Sequence, residues 1–386
     1  MRVESITGES QFRQLEATWR ELQSRGAAKD LTLTWEWMST WWEVFKDDRD
    51  LAVLVVRDGD EAAAICPFVR RRVTRCWLIP YRRIELMASG EDEEDEILSP
   101  YLDFVVSPGS ERPALEAVFR HLRQWPTWDE LLLPRMPAES PCVPIVLELA
   151  GRAGFLVDEV GRSPCLFVEL PASLDDYLGQ LGKRTRKRVR RDLRRLDEVG
   201  SVAFKVARTE QEVAAATEAL IRLHQARWIQ AGKPGVFSSG KFSSFHRRMI
   251  RLAHQNGWLR MGSLLLDREP LVCEYNLKYG GKIYSYQCGV SMSPIGNLSV
   301  GTLGEVYAIE DAIGEGMREY DFLAGAQPYK QTLANGQREL VSIRIGRGGW
   351  REAAYRAAGR LRERVKRSPV PGILQRARRQ IDRLVG

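Results

Sequence analysis

The segment from Leu298 to Leu333, LSVGTLGEVYAIEDAIGEGMREYDFLAGAQPYKQTL, combines turn, helix and strand signals in a short stretch. A glycine-containing turn leads into an amphipathic helix, a short apolar strand ends at Asp321, and a polar loop carries Tyr329 and Lys330. A helix that begins after such a turn can direct free backbone N–H groups and its positive dipole end at a phosphate. The segment therefore predicts a transferase site for a phosphate-bearing donor. The residues at this helix start are Ser299, Val300, Gly301 and Gly304.

The whole chain has the length and composition of a globular protein with two or three domains. Of its 386 residues, 44% are apolar and 28% are charged, and chains of this length form domains with sizeable cores. No apolar run approaches the roughly 18 residues of a membrane-spanning helix. The first residues, MRVESITGESQF, contain no apolar signal core. We therefore expect a cytoplasmic protein.

The net charge of +7 is concentrated at the C-terminal end. Residues 351–386 contain 11 basic and 3 acidic side chains, which leaves 47 of the 58 basic and 48 of the 51 acidic ones in residues 1–350. A nearly neutral body argues against a general nucleic-acid-binding protein. The tail is predicted as two basic helical pieces separated at residues 368–372. A solvated or docked helix fits this tail, and so does peripheral attachment to an anionic inner-membrane surface or to a synthase partner.

The cysteines and histidines argue against a metal site. Six cysteines are scattered without a C-x-x-C motif, and four histidines are spread along the chain. This usage is typical of reduced, mostly buried thiols rather than of a disulfide framework. The chain also has no Walker loop and no Ser-His-Asp spacing. We therefore expect no metal cofactor.

The N-terminal half alternates strand and helix signals. An opening strand and an amphipathic helix precede the tryptophan-rich segment LTLTWEWMSTWWEVF, a hairpin turned at residues 57–60, the strand YLDFVV, a helix and the strand WDELLLPRMP. The acidic run at residues 91–96 is predicted as a solvated loop. The tryptophans can pack in the core or form the wall of a substrate cleft, and Trp37 is the candidate for the second role.

The C-terminal half begins with a strongly basic segment, SLDDYLGQLGKRTRKRVRRDLRRLDEVG, predicted as one amphipathic helix capped by Ser173. Nine basic residues and one acidic residue lie between Lys183 and Arg195. A solvated helix face, a surface for phosphates or an anionic saccharide, and a nucleic-acid surface remain alternatives, with Arg186 as a candidate ligand. A strand, two helices and three strands joined at residues 267–269 and 280–281 then lead to the opening segment.

The two halves repeat one order of strand, tryptophan-containing helices, charged hairpin, helix and acidic-start strand. This order predicts a duplicated α/β (α+β) unit. We assign residues 1–168 and 169–350 to the two units and residues 351–386 to a basic helical tail. Only the second unit has the glycine turn after its hairpin strands, so we place the single active centre there.

Several motifs, in this order, resemble the tandem-domain branch of the GNAT acyltransferase superfamily. They are the tryptophan helix, GKRTRKRVRRDLRRL, LHQARW, DREPLVCEYNLKYGGKIYSY and YDFLAGAQPYKQTL, and together they cover roughly residues 30–345. In particular the chain resembles the bacterial CelD-like family, associated with cellulose or exopolysaccharide biosynthesis and related to Fem-type peptidyltransferases. The resemblance implies two GNAT-like domains, each with a mixed, mostly antiparallel twisted sheet flanked by helices, of which the first is degenerate.

The resemblance also implies an activity. An N- or O-acyltransferase of this kind moves an acetyl or other acyl group from acyl-CoA to a saccharide or amino-sugar acceptor. The acyl-CoA lies against a splayed strand, matched here by KIYSYQCGV, with its pyrophosphate at the start of the next helix. The usual Q/R-x-x-G-x-G/A loop is replaced by SVGTLG. A Fem-like aminoacyl-tRNA-dependent transferase and a non-catalytic scaffold that keeps the fold are the alternatives.

Acyl transfer requires a base for the acceptor, donors for the oxyanion and an acid for the leaving thiolate. Asp321 and Glu274 are the candidate bases and Tyr329 is the candidate acid. Lys330 resembles the phosphate-contacting lysine of Fem-type proteins. Structural roles are the alternatives for these residues: fixing a loop, facing solvent or packing.

Four further side chains are candidates for substrate contact. His224 and Trp228 belong to the LHQARW motif and are predicted to line the acceptor site. Tyr284 and Tyr286 alternate on one strand face. We assign Tyr284 to the acceptor and Tyr286 to the donor, with packing as the alternative for all four.

Overall fold

The computed structural model describes residues 1–26, 30–75, 79–292 and 295–367, with side chains up to residue 360. Cys76 and the predicted tail beyond residue 367 lie outside these residues. Secondary structure follows in chain order. The first half contains β1 (Arg2–Ile6), α1 (Glu9–Gln14), α2 (Glu16–Arg25), α3 (Trp35–Phe45), β2 (Asp50–Leu51), β3 (Val53–Asp58), β4 (Glu61–Cys66), β5 (Phe68–Arg75), β6 (Ile79–Leu86), β7 (Val105–Val106), α4 (Glu111–Gln124), β8 (Glu130–Pro137), α5 (Cys142–Arg152) and β9 (Leu156–Glu169).

The second half repeats this type of alternation. It contains α6 (Leu174–Gln180), α7 (Lys183–Val199), β10 (Val202–Val206), α8 (Glu210–Gln230), α9 (Gly240–Gln255), β11 (Leu259–Leu266), β12 (Glu269–Tyr279), β13 (Lys282–Val290), α10 (Val300–Gly314), β14 (Glu319–Ala324), α11 (Pro328–Leu333), β15 (Gly336–Gly346) and α12 (Trp350–Arg367).

One large mixed sheet joins the two halves. Its eleven strands run in the order β10-β11-β12-β13-β14-β9-β15-β8-β6-β5-β2, and a second sheet has the order β1-β3-β4-β7. The pairs β13–β14 and β6–β8 are parallel, and the remaining pairs are antiparallel. The mixed α/β fold is thus confirmed, whereas separate sheets for the two halves are not what the structure shows.

The continuous sheet results from an exchange of strands between the halves. β9, from the first half, lies between β14 and β15 of the second half, and β15 in turn pairs with β8 of the first half. β9 and β15 pair from Phe167 and Gly336 to Leu156 and Gly346, which is a long antiparallel ladder. The division at residues 168 and 350 stays a prediction. Strand β9, which ends at the first of these boundaries, pairs with β14 and β15 of the second half.

Side-chain caps account for several helix starts. Ser173 Oγ accepts a hydrogen bond from the Asp176 amide at the start of α6, as predicted. Thr209 and Glu212 form a capping box at α8. The single basic helix predicted here is wrong, because the chain leaves helical geometry at Leu181 and Gly182 and divides it into α6 and α7.

The predicted strand YLDFVV is also mostly absent. Only Val105 and Val106 are extended and paired, in β7. Tyr101 has φ +61°, a left-handed conformation outside the extended region of regular strands. The segment that contains Tyr101 is instead buried, and the Tyr101 hydroxyl contacts Asp321 of β14.

The tryptophans predicted as core or cleft wall lie in the core. Trp19, Trp37 and Trp41 are fully buried, and Trp19 Nε1 donates to the Leu33 carbonyl oxygen at 2.8 Å. Fully buried aromatic rings with paired N–H groups stabilise α2 and α3 against the sheet. Packing is therefore the role that the structure gives to this segment.

Helix α12 docks on the large sheet through buried ions. Arg344 on β15 is 1% exposed, and its guanidinium contacts Glu130 at 2.7 Å and Glu352 at 2.6 Å. Arg356 and Asp158 add a pair at 2.6 Å. The first piece of the predicted tail is thus a docked helix. Among the described residues no helix has the length and apolar character to cross a bilayer.

Candidate active site

Strands β13 and β14 run side by side for three residue pairs and then separate. The pairs are Lys282–Glu319, Ile283–Tyr320 and Tyr284–Asp321. A bulge against β12, between Tyr275 and Asn276, turns β13 just after this point. Beyond Tyr284 the backbone of β13 therefore has no β14 partner. We call this divergence the fork.

Helix α10 begins beside the fork. Ser299 precedes it without capping through its side chain, so the amide groups of the first turn have no acceptor within the helix. A Cβ atom on Gly301 would lie 3.4 Å from Val290, an ordinary contact. A Cβ atom on Gly304 would lie 2.7 Å from Val272 Cγ1 and 2.9 Å from Glu274 Oε1. Gly304 thus allows α10 to approach β12 closely.

A carboxyl group that the sequence analysis missed lies at the centre of this region. Glu305 is 2% exposed, and Tyr320 donates its hydroxyl proton to Glu305 Oε2 at 2.8 Å. Asn276 Nδ2 donates in turn to the Tyr320 oxygen at 3.3 Å. Burial raises the pKa of Glu305 to about 7, against the opposing effect of Tyr320, Lys330 and nearby hydroxyl groups. A carboxyl with this pKa can both accept and release a proton near neutral pH.

Glu274, a predicted base, lies near Glu305 but differs from it in hydrogen bonding and in pKa. It is fully buried, and neither of its oxygens has a hydrogen-bond partner in the described part of the chain. Burial first, and then the nearby Glu305 charge, raise its pKa well above 4.5. Two carboxyl groups this close do not ionise together readily. Glu274 therefore holds its proton, which leaves Glu305 as the group able to accept one.

Tyr329 and Lys330 enter the site from α11. Lys330 is 8% exposed and donates to the carbonyl oxygens of Phe322 at 2.6 Å and Ala324 at 3.3 Å. Burial lowers its pKa, while the Glu305 charge opposes this effect. Its ammonium thus holds the end of β14 instead of pointing outward to solvent. Tyr329 is 36% exposed, and its hydroxyl is close enough to Glu305 to lower the pKa of that group.

Asp321, the other predicted base, is buried with its oxygens occupied. Oδ2 accepts from the Tyr101 hydroxyl at 2.6 Å, and Oδ1 accepts from the Leu323 amide at 2.7 Å. Burial raises its pKa to about 6. Leu323 has φ +61°, so the second bond holds a strained turn at the end of β14. These contacts correspond to the loop-fixing alternative.

The remaining aromatic candidates pack between the halves. The Tyr284 hydroxyl donates to Asp30 Oδ1 at 2.9 Å, and Trp37 Nε1 donates to Ser99 Oγ at 3.0 Å. The Tyr286 ring lies 5.7 Å from the Trp37 ring and 4.6 Å from that of His246, measured between centroids. Its buried hydroxyl oxygen has no partner among the described residues. Of these three, Tyr286 is therefore the one whose polar group is not already occupied.

The LHQARW motif stabilises a loop rather than presenting a free imidazole. Trp228 Nε1 donates to His224 Nε2 at 2.9 Å, and His224 Nδ1 lies 3.2 Å from Gln225 Oε1. Burial lowers the pKa of His224. Arg186 on α7 donates to the Gly179 carbonyl oxygen at 3.0 Å.

The structure therefore places seven of the predicted residues on the α10 side of the fork, around Glu305 or at the start of α10. The other predicted side chains form the contacts described above, except Tyr286, whose buried hydroxyl has no partner among the described residues. A sequence signal for Glu305 did exist, since it is the one charged residue in the apolar stretch VGTLGEVYAI. The seven residues are Glu274, Ser299, Val300, Gly301, Gly304, Tyr329 and Lys330.

The first half contains a matching fork that its own chain fills. β6 and β8 also pair in parallel over three residue pairs, from Arg83–Glu130 to Glu85–Leu132. In the second half residues 291–299 connect the fork strand to its helix, whereas in the first half residues 87–110 do so. Much of this longer connection is buried, including Ile97, Leu102 and Val105 at 0% exposure. The first fork is thus filled by its own chain.

Comparison with known proteins supports the enzyme class. Residues 183–331 match the model of an acetyltransferase (GNAT) domain, and this range contains the second fork, α10 and α11. The matched domain is an acyltransferase domain, so the predicted enzyme class is confirmed. A search of curated protein sequences finds no match to the chain.

Solved structures show the same fold at low sequence identity. FemX is 12% identical, with 88% of this chain and 97% of that chain covered and a TM-score of 0.58. L-PGS from Bacillus licheniformis is 13% identical, with 92% and 99% covered and a TM-score of 0.50. At these identities the likeness concerns the fold alone.

Proposed function

We propose that the chain transfers an acyl group from acyl-CoA to an amine or hydroxyl group. The premise is that residues 183–331 match the model of a GNAT acetyltransferase domain. The observation that carries the proposal is the fork, where β13 leaves β14 beside the first turn of α10 and above the Glu305 carboxyl. The pantetheine arm would lie in the fork against the unpaired edge of β13. The pyrophosphate would accept hydrogen bonds from the first-turn amides of α10.

The side chains around the fork can carry out the transfer. The acceptor nitrogen or oxygen attacks the thioester carbonyl carbon, and Glu305 takes the proton that the acceptor loses. Backbone N–H groups of β13 beyond its last pair with β14 would stabilise the oxyanion. When the C–S bond breaks, the thiolate takes a proton from the Tyr329 hydroxyl, and solvent restores that proton. Burial raises the pKa of Tyr329, so the hydroxyl keeps its proton until the thiolate forms.

A saccharide or amino-sugar precursor of a surface polymer is the proposed acceptor. This part of the proposal rests on the resemblance to CelD-like proteins, which are associated with cellulose and exopolysaccharide synthesis.

The reaction would take place in the cytoplasm, with the basic tail as a peripheral contact to the membrane or to a synthase. Vesicle sedimentation with and without residues 368–386 tests the tail. Equal sedimentation of both forms with anionic vesicles would contradict a membrane role.

Donor binding is tested with a pair of substitutions at one position. Gly301→Glu places a carboxylate in the first turn of α10, where acidic residues are compatible with the helix but repel a pyrophosphate. Gly301→Ala changes the same backbone position without the charge. Calorimetric titration with acetyl-CoA should show binding by the wild type and the alanine variant, and a loss of about tenfold or more in affinity for the glutamate variant. Equal affinity in all three would refute this donor site.

An aminoacyl-tRNA donor is the second candidate, and α7 favours it. Lys187, Arg194 and Arg195 are exposed on this helix and form no ion pair among the described residues. The resemblance to Fem-type proteins implies such a donor, and FemX is similar to this chain in fold. Filter binding of tRNA at rising salt separates the two candidates, because phosphate contacts give a steep loss of affinity with salt. Tight, salt-sensitive tRNA binding without acetyl-CoA binding would favour the second candidate.

A further inference from the structure

A cavity of about 350 Å³ remains beside the closed fork of the first half. It lies where the halves meet, and its wall includes Tyr101 and Asp103 from the connection 87–110 together with Lys282 and Arg338 from the second half. Its size is in the range of small-molecule sites. The topology places it near the start of α4, which occupies the position that α10 has at the second fork.

The charge of this cavity is opposite to that of a phosphate site. Asp103, Glu111 and Glu139 line it, and none of the three forms an ion pair in the part of the chain that the structure describes. Asp103 is 3% exposed, and its Oδ1 accepts from the Phe104 amide at 2.8 Å. Glu111 stands in the first turn of α4, where it would repel a phosphate. A nucleotide donor is therefore excluded from this position.

The two cations of the wall are already engaged. Arg338 pairs with Glu319 and lies 3.4 Å from Asp321. Lys282 Nζ lies 3.6 Å from Asp30 Oδ1 and 3.7 Å from Glu319 Oε1. Both cations also lie over the Tyr101 ring, at 5.6 and 5.7 Å from its centroid. The unpaired charge in the cavity is thus carboxylate.

We propose that this cavity is a binding site for a small hydrophilic molecule with a protonated amino group, such as an amino sugar. The ammonium group would donate hydrogen bonds to a carboxylate of this wall, Asp103, Glu111 or Glu139. The apolar wall at Phe104 and Pro141 would contact the carbon skeleton. An ammonium is favoured over a metal ion, because no group of His, Cys, Asp and Glu side chains suited to a metal occurs among the described residues. Charge-assisted hydrogen bonds of this kind are strong when the carboxylate is buried.

The proposed amine site is separate from the acyl-donor site, and amine binding does not depend on donor binding. Tyr101 connects the two, since its ring lines the cavity while its hydroxyl contacts Asp321 at the second fork. The cavity thus lies at the position in the first half that corresponds to the donor site of the second half, but its carboxylates favour a ligand of opposite charge. Binding can be measured in the absence of any acyl donor.

Calorimetric titration of the full chain with glucosamine, ethanolamine and N-acetylglucosamine tests the proposal. We expect saturable binding of at least one of the two amines and about tenfold or more weaker binding of N-acetylglucosamine, which lacks the charge. Saturable binding of neither amine would overturn the proposal, and so would equal binding of glucosamine and its acetylated form.

A double variant, E111Q together with E139Q, locates the site. Both side chains lie at the cavity rim, so the fold should persist, which an unchanged thermal midpoint would verify. Amine affinity should fall about tenfold or more, while acetyl-CoA affinity stays at the wild-type value. E116Q, on the same helix as Glu111 but outside the cavity, is the matched control. Unchanged amine affinity in the double variant would refute this location, whatever the outcome for acetyl-CoA.

Discussion

At the scale of single residues, the centre of the site is a pair of buried carboxyl groups. Glu274 lacks hydrogen-bond partners among the described residues, and Glu305 has Tyr320 as its donor. The difference in hydrogen bonding separates their proton affinities, because a donated hydrogen bond stabilises the ionised form. Glu274 therefore stays protonated, and Glu305 changes its charge near pH 7.

The first prediction concerns Glu305→Gln. The amide cannot take the proton of the acceptor, so the rate of acyl transfer should fall by about 10²- to 10⁴-fold while acetyl-CoA affinity is retained. The wild-type rate should rise with pH through about 7 as Glu305 loses its proton, and the variant should lack this rise. CoA thiol release with an amine or sugar acceptor gives both results. Glu310→Gln, exposed on the same helix, is the control, and an equal loss in it would contradict the assignment.

The second prediction concerns the stability of Glu274→Gln. The folded protein keeps this proton at pH values where the unfolded chain, with a pKa near 4.5, has lost it. The native state then binds more protons, so its stability falls as pH rises above that value. Glutamine resembles the protonated acid and has no such dependence. The thermal midpoint of the variant should therefore rise relative to the wild type from pH 5 to pH 8. Glu269→Gln, exposed on the same strand, should show a constant difference, and the same constancy in Glu274→Gln would contradict the buried proton.

At the scale of elements, α10 and the glycines within it decide the shape of the fork. The glycines were predicted as donor ligands, yet Gly304 faces β12 and its missing Cβ is what brings the helix to the sheet. The sequence did predict the helix, the hairpins at residues 267–269 and 280–281 and the cap at Ser173, because these depend on local patterns. The role of Gly304 depends on which face of the helix meets β12, which no local pattern contains.

The third prediction compares two glycines of the same helix. In Gly304→Ala the new methyl group would overlap Val272 and Glu274, and overpacking of this type costs about 1–3 kcal/mol. In Gly314→Ala the new methyl group meets nothing within 4 Å, so the higher helix propensity should stabilise the protein by about 0.5–1 kcal/mol. Urea unfolding measures both free energies. Shifts of the same sign in the two variants would contradict the packing described for α10.

At the scale of the whole molecule, the duplicated order was visible in the sequence but the exchange of strands was not. The order of hairpins and helices along the chain indicates repeated units but does not indicate how the units are arranged in space. The position of β9 between β14 and β15 depends on long-range pairing, which the residues of β9 alone do not encode. Glu305 and the cavity beside Tyr101 escaped prediction for the same reason, since burial and juxtaposition arise only when distant segments meet.

The fourth prediction follows from this exchange. A fragment of residues 170–386 lacks β9, so β14 and β15 lose the strand that joins them. Open strand edges of this kind promote association rather than folding. The fragment should show no cooperative thermal transition by circular dichroism, whereas the full chain should. A cooperative transition and retained acetyl-CoA binding in the fragment would show that the second half folds without β9.

We propose that the second fork, with α10 and Glu305, holds the acyl donor. A crystal structure of the protein with acetyl-CoA tests it most directly. We expect the pantetheine arm between β13 and β14, the pyrophosphate at the first turn of α10, and the thioester within hydrogen-bonding reach of Glu305 directly or through one water. Acetyl-CoA bound in the cavity of the first half, or away from both forks, would contradict the account.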